Sequence, residues 1–288
     1  MKTSTEIGSA SVILGEERAV EAVAKAGFDA WDFTLCHLAV YDFDTKDIMV
    51  TNHPLTTPDY LKFARKLRQI GEDNGIVCNQ SHAPFPCEVP GVRSVLKKAI
   101  ECTAEAGADT CIIHPCIKAS REENAEMYLE LLPFAKACGV KIAVENTYSW
   151  DKAIKDAVRG ACSWPDDLVA TLDLLGDDET FVACLDTGHA EMRGLRTSAV
   201  EMIHALGTRL QALHIHDTDR RNDTHQIPFS MNIDFNAIVK ALKEINYNGY
   251  FTLEAPTYIE LYDPSRIPEA LCNLQKSVRR LADMYEGL

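Results

Sequence analysis

The 288-residue chain has no apolar run approaching the roughly 20 residues that a helix needs to cross a bilayer. No helical membrane span is therefore expected. The opening stretch, MKTSTEIGSASVILGEERAV, is polar and lacks the apolar core of a secretory signal, so a cytoplasmic protein is expected. No two of the ten cysteines stand as a Cys-x-x-Cys pair, and Cys78, Cys102, Cys111, Cys138 and Cys184 fall within apolar segments. That placement argues for reduced, buried thiols and against a disulfide frame. Positive charge is scarce: 29 Lys and Arg against 43 Asp and Glu leave a net charge of −14. Such a balance disfavours nucleic-acid partners gripped through many phosphates, and it suits a small neutral substrate and a site rich in carboxylates.

Glycine-rich phosphate loops are missing as well. Neither GxGxxG nor a P-loop follows the first predicted strand, which argues against a doubly wound open sheet. No charge block or Pro/Ser/Gly linker divides the chain, so residues 1–288 are read as one domain.

What is present is an alternation of short apolar strands and amphipathic helices, the mark of βα units around a parallel sheet. The pattern predicts strands within 6–13 and over 30–34, 76–80, 110–113, 140–144, 181–185, 210–215 and 250–253. Helices are predicted over 16–26, 58–74, 94–106, 122–138, 164–175, 198–206, 234–245 and 268–285. Eight strands and eight helices make a single (β/α)8 barrel of the α/β class.

Six of the predicted strands end at or beside a residue able to bind a divalent cation: His82, His114, Glu145, Asp186, His216 and Glu254. They are 32, 31, 41, 30 and 38 positions apart, the length that a strand, a helix and two loops consume. A closed parallel barrel brings all its strand ends to one rim, so groups scattered in sequence would meet there. An isolated charge at the end of an apolar strand is costly, so each acid needs water, a hydrogen-bond donor or a cation. Two glutamates, an aspartate and a histidine suit Mn²⁺, Mg²⁺, Co²⁺ or Zn²⁺, and one such ion is the expected cofactor.

Other candidates carry alternatives. His214 and His216 alternate with Leu213 and Ile215 and share one face; His216 is the better ligand and His214 lies a layer deeper. His189 either completes a metal shell or contacts a substrate hydroxyl. Asp223 and His225 are either a further ligand pair or a surface loop. Arg220 and Arg221 are either a clamp for hydroxyls or phosphate or a solvated pair. Trp150, Phe33 and Phe85 are either an apolar wall for a sugar ring or packing residues. His37, His53 and His204 have no strand-end setting and are read as solvent or packing residues.

The motifs SHAP at Ser81, IIHP at Ile112, VEN at Val144, LDTGH at Leu185, HIHD at His214 and LEA at Leu253 occur in order along nearly the whole chain. Together they resemble the xylose isomerase-like TIM-barrel superfamily, which includes sugar isomerases and epimerases and endonuclease IV. In the epimerase branch, similar to D-tagatose 3-epimerase, one metal is held by groups matching Glu145, Asp186, His216 and Glu254. The resemblance implies that Glu145 and Glu254 exchange a proton with the substrate carbon through a metal-stabilised enediolate, giving isomerisation or epimerisation. It also implies sugar contacts from His189 and from an arginine after strand seven, although Arg220 and Arg221 stand at a different spacing. His82, His114 and Trp150 are taken as further substrate contacts, and homo-oligomers are common among such relatives.

Endonuclease IV binds three zinc ions through positions matching His82, His114, Glu145, Asp186, His189, His216, Asp223, His225 and Glu254. A multi-zinc phosphodiesterase is thus the alternative, and a keto-polyol dehydratase using the same proton abstraction is another. Against the nuclease, HDTDRRNDTHQIPFSMNIDF lacks that enzyme's glycine-rich run, and DTGHAEMRG departs from its pattern. The stretch from Ile233 to Ala255 looks like the isomerase branch, without that branch's usual glycines before it.

Overall fold

The structure, a computed structural model, describes residues 1–288. Eight parallel strands surround one axis: β1 Lys2–Thr5, β2 Ala30–Thr34, β3 Val77–His82, β4 Thr110–Ile113, β5 Lys141–Glu145, β6 Phe181–Asp186, β7 Leu210–His214 and β8 Tyr250–Leu253. Strands β2 to β7 form one six-stranded sheet, and β1 pairs with β8. Isolated bridges Glu6–Asp32 and Ile215–Leu253 join the two sheets and close the ring. No helix is long and apolar enough to cross a membrane.

The first strand differs from expectation. It lies over Lys2–Thr5, and the apolar stretch expected to be a strand is the helix Gly8–Leu14. The side chains of β1 are polar yet Thr3, Ser4 and Thr5 are fully buried, because each hydroxyl has a partner: Thr3 Oγ1 donates to Asp29 Oδ2 (3.0 Å), Thr5 Oγ1 to Leu253 O (3.4 Å), and Ser4 faces a polar side of the barrel interior. The helix expected over 122–138 is two helices, Arg121–Leu129 and Leu132–Cys138. Pro133 stands in the first turn of the second one, where its missing N–H costs nothing; mid-helix, its ring would break the hydrogen-bond ladder.

Sequence alternation separates the faces of each strand. Outward residues such as Trp31, Phe33, Phe181 and Phe251 pack against the helices in one large core cluster. Full burial of such side chains stabilises by about 1.5–3 kcal/mol each. Inward, the barrel is divided. Ile112, Ala143, Val182, Cys184 and Ala212 fill the side made by β4 to β7. The opposite side is a polar column. Ser4 Oγ donates to Asn79 Oδ1 (2.6 Å), Asn79 Nδ2 to Thr252 Oγ1 (3.1 Å), Thr252 Oγ1 to Gln80 Oε1 (3.4 Å) and Gln80 Nε2 to Asp32 Oδ2 (2.9 Å). A bulge makes this possible: Trp31 pairs with Cys78 but Asp32 with Gln80, so β3 skips Asn79.

Candidate metal centre at the barrel mouth

Parallel strands deliver their last residues to one rim. His82, Glu145 and Asp186 end β3, β5 and β6, while His114, His216 and Glu254 follow β4, β7 and β8 within two residues. Glu145, Asp186, His214 and His216 are fully buried. Above them opens a cavity of about 510 Å³, lined on its inner side by His82, His114, His189, Asp223, His225 and Glu254. Phe43, Phe85 and Trp150 stand at its outer edge, and Lys118 is the one lysine or arginine in its lining.

The donor atoms gather in three adjoining groups. In the centre, Glu145, Asp186, His214 and Glu254 each bring one atom within 4.8 Å of the others. His214 Nδ1 is 3.2 Å from Glu145 Oε1 and 3.5 Å from Glu254 Oε2. His216, expected in this group, lies beside it with Nε2 at 3.0 and 3.1 Å from the two Asp186 oxygens. On one flank, His82 Nε2 and His114 Nε2 are 3.1 Å apart and lie 3.3 and 3.1 Å from Glu145 Oε2. On the other, Asp223 Oδ2 is 3.2 Å from His189 Nε2 and 3.1 Å from His225 Nε2.

Local sequence explains these placements. Asp186 caps the short helix Thr187–Ala190 by accepting from His189 N, which turns His189 back over the site. Gly188 is needed for space: a Cβ there would lie 2.0 Å from His216 Cε1. Asn146 locks the adjoining strands, donating to Asp186 O (3.0 Å) and accepting from Asp186 N (2.7 Å).

Electrostatics distinguish the groups. Burial pushes the Glu145 carboxyl up, but the imidazoles of His214 and His114 outweigh it and hold the group well below the usual range. Asp186 is lowered by His189 and His216, and Asp223 by His189 and His225, each against the opposing effect of burial. The neighbouring carboxylates overcome burial to raise His189 and His214 well above an ordinary imidazole, and His225 to about 10. His114 goes down, because burial prevails there.

The residues fit divalent cations. Two buried oxygens, Glu145 Oε2 and Asp223 Oδ1, have no hydrogen-bond donor. His82 and His114 crowd Glu145 Oε2 without hydrogen-bonding geometry, so three ligand-type atoms converge with edges of 3.1–3.3 Å. A tetrahedral ion with bonds of about 2.1 Å sets its ligand atoms about 3.4 Å apart. Cysteine contributes nothing to this site: Cys36, which senses Glu254, is pushed by burial to about 12.

The mouth thus joins all nine residues of the larger expected donor set. Arg220 and Arg221 are not brought to the cavity. Arg220 turns back at φ +64° and pairs with Glu191 (3.0 Å), while Arg221 is exposed. Trp150 reaches the rim on the hairpin Ser149–Asp151/Asp156–Val158, and Phe85 stacks on His114; Phe33 instead packs outward. His53 donates to Glu16 (2.6 Å) and stacks on His37, and His204 pairs with Glu244 on the surface. Sequence reasoning missed Tyr148, whose hydroxyl donates to Asp223 Oδ2 (3.2 Å), and Asp32 beneath His214. An aromatic three residues beyond Glu145 and an acid inside an apolar strand were the available signals.

Known proteins share this architecture. An uncharacterized protein of Methanocaldococcus jannaschii is 25% identical over 236 residues, covering 75% of this chain and 76% of that protein. The crystal structure of a D-tagatose 3-epimerase-like protein superposes with a TM-score of 0.73 at 19% identity, over 100% of this chain and 99% of the other. That of a D-allulose 3-epimerase from Methylomonas sp. in complex with D-allulose gives 0.71 at 16% identity, over 99% and 97%. The IOLI protein with a bound zinc atom gives 0.69 at 18% identity, over 99% of both chains. Residues 20–284 match the family described as xylose isomerase-like TIM barrel, and the chain belongs to that family.

Proposed function

We propose that this protein is a divalent-metal-dependent isomerase or epimerase of a sugar or sugar phosphate. One observation carries the reading: Glu145 from β5 and Glu254 after β8 reach the same imidazole, at 3.2 and 3.5 Å, so two carboxylates face one small volume. Glu145, Asp186 and Glu254 would hold the ion with an imidazole from the end of β7: His214 brings its Nδ1 among these carboxylates, whereas His216, the ligand expected from the sequence, touches only Asp186 of the three. Mn²⁺, Mg²⁺, Co²⁺ or Zn²⁺ suits that set and, when bound, polarises a carbonyl and the adjacent hydroxyl. One glutamate then takes the proton from the substrate carbon, and the C–H electron pair becomes the C=C bond of an enediolate. The other glutamate returns a proton from the opposite side, which inverts the centre or moves the carbonyl. His82, His114 and His189 point at the cavity and serve substrate oxygens, while Trp150 and Phe85 present apolar faces at the rim. The named epimerases among the similar structures support the same chemistry.

A second reading, a multi-zinc phosphodiesterase, rests on the two flanking groups, His82/His114/Glu145 and His189/Asp223/His225. The presence of only one lysine, and no arginine, in the cavity lining favours the first. Elemental analysis of purified protein, with a screen of ketoses and ketose phosphates for solvent deuterium uptake, separates the two. One ion per chain and deuterium in the product are expected. Three zinc ions, phosphodiester cleavage and no carbon-bound deuterium would establish the alternative. Deuterium uptake with loss of water would indicate a dehydratase.

A further inference from the structure

We propose that the substrate carries an oxyanion, a phosphate ester or a carboxylate, at the end remote from the reacting carbons, and that Lys118 and Ser149, backed by Arg121 and Arg159, receive it. The inference rests on the sugar isomerase reading of the preceding section and narrows it to acidic sugars. Beside the mouth lies a second cavity of about 590 Å³, whose lining includes Lys118, Arg121, Ser149, Arg159 and Asp167. Ile117, Lys118 and Ser149 line both cavities and so stand where the two adjoin. Glu145 and Glu254 claim the reacting end of the sugar, which leaves its other end for this outer wall. The wall is built, not incidental. Ala161 N donates to Ile117 O (2.9 Å), joining the loop after β4 to the hairpin that carries Ser149. Gly160 permits the close approach, since a Cβ there would lie 2.8 Å from Ile117 Cγ2 and 3.1 Å from Ser149 N.

Charge gives this wall its selectivity. In a chain of net charge −14, beside a mouth rich in acids, it gathers three cations. Lys118 is exposed and forms no ion pair; Glu88, which shares the mouth lining, accepts from Ile117 N (2.7 Å) instead. Arg121 and Arg159 share one carboxylate. Arg121 Nη2 donates to Asp167 Oδ1 at 2.9 Å, while Arg159 Nη2 stays 3.8 Å from the same oxygen, beyond hydrogen-bond reach. The Arg159 guanidinium lies 4.5 Å from the Trp164 ring, a contact that holds it in place without using its donors. Arg121 Nε is buried without an acceptor. Glu122 is the other acid in this lining, so three cations face two carboxylates and one positive charge is left over. Guanidinium forks and a lysine point charge are the donors that phosphate and carboxylate oxygens accept from best.

The test uses the full-length, metal-loaded protein and matched substrates: free ketoses, their terminal phosphates and the corresponding keto-uronates, read by solvent deuterium exchange. Wild-type kcat/KM is expected to favour an anionic substrate over its neutral parent by at least about 10-fold, the scale of one hydrogen bond to a charged group. Whether phosphate or uronate leads identifies the oxyanion. Lys118→Met, at an exposed position where folding is not at stake, should cut that preference about 10- to 100-fold, mainly through KM. Lys118→Glu should cut it further. Added salt should lower the wild-type preference too, because the lysine is exposed to screening. Equal use of neutral and anionic sugars by the wild type, or an unchanged preference in both Lys118 variants, would overturn the proposal. If no sugar exchanges a proton, the isomerase reading fails, and calorimetric titration with inorganic phosphate decides the subsite by itself. Binding that disappears in Lys118→Glu supports it; no binding, or equal binding by wild type and variant, overturns it.

Discussion

Gly188→Ala tests whether the site depends on the seat of His216. A Cβ at position 188 would lie 2.0 Å from His216 Cε1, 2.5 Å from Nε2 and 2.7 Å from Nδ1. Relaxed carbon contacts need about 3.5–4.0 Å, so the ring must retreat by roughly 1.5–2 Å. That movement takes Nε2, now 3.0 and 3.1 Å from the Asp186 oxygens, beyond hydrogen-bond reach. Overpacking of this kind costs about 1–3 kcal/mol. Gly188 lies in the short helix Thr187–Ala190 and not at positive φ, so alanine is conformationally acceptable and recovers about 1 kcal/mol. The net change, about 0–2 kcal/mol, shifts the melting temperature by only a few degrees. A misplacement of about 1 Å can nevertheless cost 100-fold in rate. The variant should thus fold, melt near the wild type and lose at least about 100-fold in deuterium exchange. Thermal melts, Co²⁺ titration and the exchange assay measure the three quantities. Wild-type exchange, with a crystal structure showing His216 undisplaced, would refute the reasoning.

Glu254→Gln, at a half-buried position, should leave the circular dichroism spectrum unchanged and lower proton exchange by about 10²–10⁴, the range of a lost general base; exchange at the wild-type rate would remove Glu254 from the chemistry. Chelation should lower the melting point, since an ion present at 100 times its Kd stabilises the fold by about 2.7 kcal/mol. A calorimetric scan showing no shift after verified metal removal would exclude a bound ion at that concentration. The metal-free protein should lose stability at alkaline pH. His189 and His225 are raised by their carboxylate partners, so their contribution is complete below about 6.5. For His225 it is lost as pH climbs to about 10. Asp223 is lowered, so its contribution holds above about 3.9 and fades as pH falls below that value. Denaturant midpoints measured from pH 3 to 10 would show a plateau between about 4 and 6.5, and a flat profile on the alkaline side would contradict the His–Asp assignments.

Most of the rim was legible because an acid or imidazole at the end of an apolar strand is conspicuous. Glu145 after KIAV and Asp186 after VACL could not be buried alone, and the barrel topology supplied their company. The misses share a physical cause. Hydrophobic patterning finds a strand when its buried side chains are apolar, but β1 is KTST, with Ser4 on the polar column and the Thr3 and Thr5 hydroxyls on Asp29 and Leu253 O. The same column hid Asp32 and Gln80, whose partners lie 182 and 48 positions away in the chain. Arg220 looked close to His216 in sequence. Its backbone turn and its ion pair with Glu191, 29 positions earlier, point it elsewhere. Such long-range pairings leave no periodic trace.

The crowding at the mouth has a consequence for what the metal-free protein must be. Glu145, Asp186, Asp223 and Glu254 bring four carboxylates to a region where six imidazoles also gather, among them fully buried His214 and His216. Without a cation, only protons can balance that charge. The raised imidazoles are where they reside: His189, His214 and His225 each lie against at least one of the carboxylates. A cation entering the central group competes with those protons, because an imidazole ligand must give up its own. His214 has a carboxylate at each nitrogen, Asp32 Oδ2 behind its Nε2 and Glu145 Oε1 before its Nδ1. His216 Nδ1 meets only a backbone carbonyl at 3.4 Å, whereas His214 Nε2 meets a buried carboxylate. A carboxylate behind an imidazole orients the ring and raises its basicity as a ligand, and it is His214 whose Nδ1 lies among Glu145, Asp186 and Glu254, so of the two rings His214 is the better placed for an ion in the central group.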